Sequence, residues 1–429
     1  MDSESTGSTE GGASGEGPEP PAATRTTWAE EWIAKFCGFP LAAETVFLRA
    51  KYEKGGEKEV GDLLVALRGE AIVLSLKHQE DPSLRTGDRL SQWCAKAAKA
   101  AARQLDGGVK TIRERPFWCD HAKRGRVDFN PGALRVRHAI ACVETAQGIE
   151  LPLDLPEDVR GTPVTYLSSS DMFNIVKELH AFPDIMDYLD ARLKLPRDMR
   201  RNIGVEEPLC SYYLLNDQSF DGCRSFDDVI GTLDAAGGEL KRRIGEKHKA
   251  DVFASVIESI SYSMSVPPPD AAVWNTAGDS EHGEVSQRIE YTKAQEYLCE
   301  LRLGERRSIG EKFAELHSKV HESPTGLVYS SMHSDSRDFL YVLAVARGVD
   351  REELVRRAEV LLISGLAHRG KSAGMIIVER DGVAYLTILS EGRIDSPEAT
   401  AAGEELFGRL KTTRTPIRVL PEEGYTTDP

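Results

Sequence analysis

The stretch Gly56–Gln79, GEKEVGDLLVALRGEAIVLSLKHQ, decides how the rest of the chain is read. Val60 to Leu67 and Ala71 to Leu76 are two apolar runs joined by Arg68-Gly69-Glu70. Two such runs across a short Gly-containing loop predict a β-hairpin. Thr45 to Tyr52 reads as a strand before it, with Gly55-Gly56 as the turn between. The hairpin carries chemistry at its open end: Glu59-Val60-Gly61-Asp62 on the first strand, and after twelve residues Ser75-Leu76-Lys77 on the second. Antiparallel neighbours lie roughly 5 Å apart, so a carboxylate and an ammonium can converge there. A divalent ion held by carboxylates polarises a phosphodiester and activates water, and a lysine stabilises the charge that develops. Asp is a hard oxygen donor suited to Mg²⁺. The plain alternative is a cross-strand ion pair worth roughly 0.2–1 kcal/mol.

Outward from the hairpin, a helix is expected from about Asp88 to Leu105, because Trp93, Ala97, Ala100, Ala101 and Gln104 recur at helical spacing. Gly107-Gly108 is read as its stop. Thr111 to Gly132 reads as loop-rich. Leu134 to Glu144 and Pro163 to Leu167 read as strands, the second leading through Ser168-Ser169-Ser170-Asp171 into a capped helix ending near His180. Upstream, Trp28, Trp32 and Phe36 suggest a short amphipathic helix ended by Gly38 and Pro40. Met1 to about Thr27 is Ser/Gly/Glu/Pro-rich and reads as a disordered acidic tail.

The residues of the hairpin resemble the PD-(D/E)xK nuclease superfamily, whose pattern is an Asp on one strand and (Asp/Glu)-x-Lys on the next, followed by a helix that helps hold substrate. The resemblance covers residues 28–193, less than half of the 429-residue chain. Asp62 and Lys77 match the first acid and the lysine, and the middle acid is replaced by Ser75. Some restriction endonucleases of the superfamily also carry Ser-x-Lys, with the missing acid moved onto the following helix. The resemblance implies an α/β fold with a restriction-endonuclease-like mixed sheet flanked by helices, followed here by a mainly helical segment (194–320) and a small C-terminal α/β segment (321–429). It implies Mg²⁺- or Mn²⁺-dependent hydrolysis of DNA, with Asp62 and the Leu76 carbonyl at the metal and Asp88, Glu44 or Glu59 supplying the missing carboxylate. Lys77 would position or activate water, with Ser75 contributing through water. Gln104 and Lys99 would contact the phosphate or the metal-bound water. Prokaryotic restriction, repair or anti-phage defence, with a defence-system partner or a homo-oligomer, follows only by analogy. The alternative on the same residues is an inactive nuclease-fold module that binds nucleic acid or acts as a regulatory scaffold.

Charge points two ways. The chain has 54 Lys and Arg against 69 Asp and Glu, a net −15, which disfavours generic polyanion binding. Residues 96–137 hold eleven basic residues against four acids, a local balance of +7. Lys96, Lys99 and Arg103 share one helix face, where a stripe can track phosphates. Arg113, Arg115, Lys123, Arg124 and Arg126 extend the candidate surface, with Phe117 and Trp118 as possible stacking residues or core anchors.

Other motifs carry less. The seven cysteines are scattered, contain no CxxC, and read as reduced cytoplasmic thiols. No apolar run approaches the roughly 18 residues of a membrane span, and no secretory leader is visible. Gly365-Leu-Ala-His-Arg-Gly370-Lys371-Ser372 fits a phosphate-loop pattern literally, but a helix is expected before it and a strand after it, the reverse of what phosphate binding needs. That reads as a helix C-cap. Cys119, His121, His138 and Cys142 could in principle give four zinc ligands, but positions 138 and 142 lie roughly 13 Å apart on a strand. Asp184, Asp187 and Asp190 read as a solvated acidic helix face. Asp350 should cap a helix to Leu366, and Met375 to Glu379 with Val383 to Leu389 should form a hairpin.

Overall fold

The computed structural model describes residues 45–79, 85–121, 125–145, 147–238, 297–333, 338–380, 383–391 and 396–407. The N-terminal tail and the helix expected at Trp28–Phe36 lie outside these residues, as do Glu44, Lys123 and Arg124. The chain is α/β, built on a large mixed sheet flanked by helices.

Strand β1 (Val46–Glu53), β2 (Glu57–Leu67) and β3 (Glu70–Lys77) form an antiparallel meander. Arg68 and Gly69 both have positive φ, 47° and 83°, as a two-residue hairpin turn requires. Helix α1 (Gly87–Glu114) then crosses over to the later strands. β4 (Phe117–His121) and β5 (Gly125–Phe129) make a second hairpin on the far edge, followed by β6 (Arg135–Val143), the short β7 (Ile149–Glu150) and β8 (Asp158–Val159), and β9 (Thr162–Ser168). All of these but β7 form one eight-stranded sheet, ordered β5-β4-β1-β2-β3-β6-β9-β8. β3, β6 and β9 are mutually parallel and the other pairings are antiparallel.

The sheet is buried on both faces, which is why β2 and β3 read as near-continuous apolar runs. One face packs on α1 through Leu64, Val73, Ala98, Ala101, Leu105 and Val109. The other, with Leu63, Ile72, Leu74 and Ile140, is covered by α2 (Ser169–Leu179), α3 (Phe182–Arg192) and, after the short helix α4 (Arg197–Arg201) and strand β10 (Asn202–Ile203), by α5 (Glu206–Leu215). Ser168 caps α2 in a capping box with Asp171, so the Ser168–Asp171 run is a helix start as expected. This second core continues through Met199, Leu209, Tyr213, Phe220 and Val229 and takes in Cys299. The boundary expected at residue 193 therefore falls inside one packed layer.

Two expectations need correction. Helix α1 does not stop at Gly107-Gly108 but runs to Glu114. The reason is close packing: a Cβ at 108 would lie 2.2 Å from the Val60 carbonyl oxygen, so the glycine lets the helix sit on β2. Val60 is the extra residue of a β-bulge, between the pairs Ala50↔Gly61 and Lys51↔Glu59. The stretch Thr111–Gly132 is not loop-rich, for it holds the end of α1 and the β4–β5 hairpin, pinned by Phe117 stacked on Phe129.

The C-terminal part begins with α6 (Leu303–Val320), then β11 (Leu327–His333), β12 (Phe339–Ala346), α7 (Arg351–Arg369), β13 (Ala373–Arg380), β14 (Val383–Glu391) and α8 (Pro397–Phe407). Its sheet orders β11-β12-β13-β14, with β12 and β13 parallel across α7. α6 packs one face through Ile309, Phe313 and Leu316, and α7 and α8 pack the other. Asp350 caps α7 as expected. Among the described residues, no helix is long and apolar enough to cross a membrane.

Candidate active site

The β2–β3 ladder runs from Leu67↔Glu70 to Leu63↔Leu74. Past that point Asp62, only 8% exposed, takes over the role of the ladder, its Oδ2 accepting the Leu76 amide N–H at 2.5 Å. The acid therefore lies against the backbone between Ser75 and Lys77. Its other oxygen accepts no hydrogen bond among the described residues.

The side chains of Ser75 and Lys77 converge on one atom. Ser75 Oγ donates to Gln104 Oε1 at 2.8 Å and Lys77 Nζ donates to the same oxygen at 2.5 Å. An ammonium can only donate, so the atom it meets is the amide oxygen, which fixes the amide with its nitrogen turned the other way. That nitrogen donates to Glu59 Oε2 at 3.2 Å. Ser75 is wholly buried, Lys77 and Gln104 are half-buried and Glu59 is exposed, so the group opens to solvent on the Glu59 side. The bulge at Val60 and the glycine at 108 set this up: the first interrupts strand alternation beside Glu59, the second seats α1 with Gln104 one turn away from the contact. Asp62 and Lys77 form no ion pair among the described residues, so the cross-strand pair of the plain reading is absent.

Compared with protein-family models, curated proteins and solved structures, the chain matches none. The site has to be read from its own chemistry.

Not every expected residue joins it. Asp88 is exposed in the first turn of α1, and the sixteen residues to Gln104 span about 24 Å of helix. It cannot supply the missing carboxylate to Lys77's neighbourhood. Glu59 can. Lys96, Lys99 and Arg103 are exposed on α1 and have no ion pair among the described residues. Other members of the basic set are engaged structurally. Arg113 donates to the Arg160 carbonyl at 2.8 Å and to Thr162 Oγ1 at 3.0 Å, Arg115 lies 5.7 Å over the Tyr52 ring, and Arg126 covers Trp118 at 4.3 Å while bonding Asp128. Phe117 is core, and one face of Trp118 is taken by Arg126.

Gln79 and Glu144 were missed. The Gln79 N–H donates to Glu144 Oε2 at 2.9 Å and its amide nitrogen to the Glu144 carbonyl at 3.3 Å, while the Glu144 N–H donates to the Lys77 carbonyl at 2.8 Å. This bracket fixes the chain just past Lys77. Its partners are 65 residues apart, and no local pattern could have joined them.

The rejected motifs resolve individually. Gly370 is the left-handed C-cap of α7 and β13 follows, so the phosphate-loop match has the wrong elements on both sides. Cys119 and His121 are on β4, and His138 and Cys142 on β6, with three strands between, about 19 Å of sheet. Among the described residues no three metal-binding side chains cluster. The acidic face of α3 is not solvated as expected. Asp184 and Arg306 form a buried pair at 2.7 Å, Asp187 meets Arg302, and Asp190 meets Arg137 at 2.9 Å and His138 at 3.0 Å. These arginines 302 and 306 belong to the start of α6, so the face is the seam to the C-terminal part. Burial pushes the Asp187 carboxyl up to about 6, Arg302 opposing the rise and Asp184 and Asp190 adding to it.

Proposed function

We propose that the chain is a metal-dependent phosphodiesterase acting on DNA, of the restriction-endonuclease-like type, located in the cytoplasm and serving restriction, repair or defence. The observation that carries the reading is the convergence of Ser75 and Lys77 on Gln104 Oε1, with Glu59 behind the amide and Asp62 against the intervening Leu76. An acid on one strand, a lysine on the next and a polar residue reaching back from the following helix agree with the family resemblance, with Ser75 standing where the pattern has an acid. The two carboxylates, Asp62 and Glu59, are hard oxygen donors fit for Mg²⁺ or Mn²⁺, and with no third acid clustered there among the described residues the Leu76 carbonyl, Ser75 and water would complete the shell. An ion held there supplies Lewis acidity toward the phosphate and a more acidic water.

The protein's own groups do the rest. Gln104 uses one ammonium N–H of Lys77, leaving two donors for the phosphate oxygens. Glu59 fixes the amide so that it cannot turn its N–H groups toward that ammonium. Lys96, Lys99 and Arg103, exposed and without an ion pair among the described residues, offer charge to the backbone of the nucleic acid. The six described cysteines are buried, and Cys94, Cys119, Cys210 and Cys223 are free thiols, which agrees with a reducing compartment.

The test is plasmid cleavage with Mg²⁺ or Mn²⁺ by the wild type, Asp62→Asn and Lys77→Ala. Asn keeps the acceptor for the Leu76 N–H but lacks the charge. Cleavage by the wild type and loss in both variants, at about a hundredfold or more for each group removed, is expected. Cleavage unchanged in both sinks the assignment. The rival reading, an inactive nuclease-fold binding module, draws on the absence of a three-acid cluster among the described residues. It requires salt-sensitive DNA binding by the wild type with no cleavage under either metal.

A further inference from the structure

Helix α7 buries one side on its sheet through Leu354, Ala358, Leu361, Leu362 and Leu366. Its opposite side holds apolar side chains in solvent: Val360 is 49% exposed and Ile363 is 42% exposed. With 3.6 residues per turn, Glu352, Arg356, Glu359 and Ile363 fall within about 60° of one another, flanked by Val355 and Val360. An ordinary surface helix is polar on this side, and a single exposed valine would need no explanation.

The pattern is self-complementary. When two identical helices meet antiparallel about a two-fold axis, residue i of one lies opposite residue j of the other, and j opposite i. Set the axis between positions 357 and 358. Arg356 then faces Glu359 of the partner subunit, and Glu359 faces Arg356 of the partner subunit. The aliphatic stem of Glu352 lies over Ile363 of the partner subunit, while Val355 and Val360, about 140° apart around the helix, lie on opposite rims of the contact. Arg356 and Glu359 thus pair twice across the axis. A parallel pairing would set arginine on arginine and glutamate on glutamate, which is repulsive. We propose that this face of α7 is where a second copy of the chain docks, antiparallel, helix to helix.

Arg356 already meets Glu353 one turn back on its own helix. That pair is exposed, and a guanidinium has five N–H donors, so it can serve a second carboxylate. The interface is small and salt-sensitive by this account, since its specific part is two ion pairs at the edge of a short apolar strip. It is independent of the nuclease reading, because no residue of the candidate active site takes part.

The experiment is sedimentation velocity on the full chain over a concentration series, with Arg356→Glu, Glu359→Arg, the double swap, and an equimolar mixture of the two single variants. The wild type should move from one chain to two as concentration rises. Each single reversal creates two like-charge contacts and should weaken association about tenfold or more. The double swap should restore it, and the mixture should form heterodimers although neither variant pairs with itself. Thermal melting of each variant should match the wild type, since all positions are exposed. A wild type that stays one chain throughout, a dimer indifferent to both reversals, or a double swap and a mixture that both fail to associate would each overturn the proposal.

Discussion

Replacing Gly108 by alanine asks how closely α1 lies on β2. The added Cβ would sit 2.2 Å from the Val60 carbonyl oxygen and 3.2 Å from its carbonyl carbon, where ordinary contact starts at 3.4 Å. The helix or the strand must give about 1.2 Å, and both obstacles are backbone in the middle of a buried layer. Overpacking of this kind costs about 1–3 kcal/mol, and this overlap belongs at the upper end. Alanine recovers about 0.8–1 kcal/mol of helix propensity over glycine. The net loss is about 2 kcal/mol, or about 4–8 °C in melting temperature for a unit of this size. Gly107 is the control, because it is exposed and has nothing within 4 Å of its would-be Cβ. Gly107→Ala should gain the propensity term alone, about 2–4 °C. The two neighbours thus predict opposite signs in one differential scanning experiment. The Gly108 variant should also move Gln104 off Lys77, and misplacement by about 1 Å costs about a hundredfold in rate if the site is catalytic. If Gly108→Ala melts as high as Gly107→Ala, the helix is not seated on Val60 and the account of the site loses its geometric basis.

Other outcomes follow from the seam at α3. Arg306→Ala strands the buried Asp184 carboxylate, and breaking such a pair costs about 3–5 kcal/mol, visible as a lower melting temperature. Replacing both partners by apolar residues of similar volume should recover much of that loss. The raised Asp187 carboxyl adds stability that is fully present below its unfolded pKa near 3.8 and is lost as pH rises through about 6. Asp187→Asn should therefore flatten the melting temperature between about pH 4 and pH 6 relative to the wild type. An unchanged pH profile in that variant would show that Asp187 is not the titrating group.

The hairpin was legible because its information is local. Two apolar runs separated by Arg68-Gly69 permit little else, and the positive φ at both turn residues answers a demand that glycine and a tolerant neighbour can meet. The caps at Ser168 and Asp350 were equally local, each a side chain bonding amides two or three residues on. Helix α1 shows where locality fails. Two consecutive glycines weaken a helix, and nothing nearby in the sequence says that a carbonyl 48 positions upstream needs that room. The β4–β5 hairpin reads as loop because its strands are short and charged, and its order comes from Phe117 stacking on Phe129 and from pairing with β1.

By itself the amino-acid sequence determined the hairpin, the residue types at its open end, the α/β class and the helix caps, since each depends on side chains a few positions apart. Only the tertiary structure decided which of those residue types meet. It joined Lys77 and Ser75 to Gln104, put Glu59 rather than Asp88 beside that amide, and turned three supposedly solvated aspartates into partners of arginines and a histidine from far along the chain. The physical reason is that hydrogen bonds and ion pairs act over about 3 Å, and which groups come that close is set by packing between distant elements rather than by any spacing along one of them.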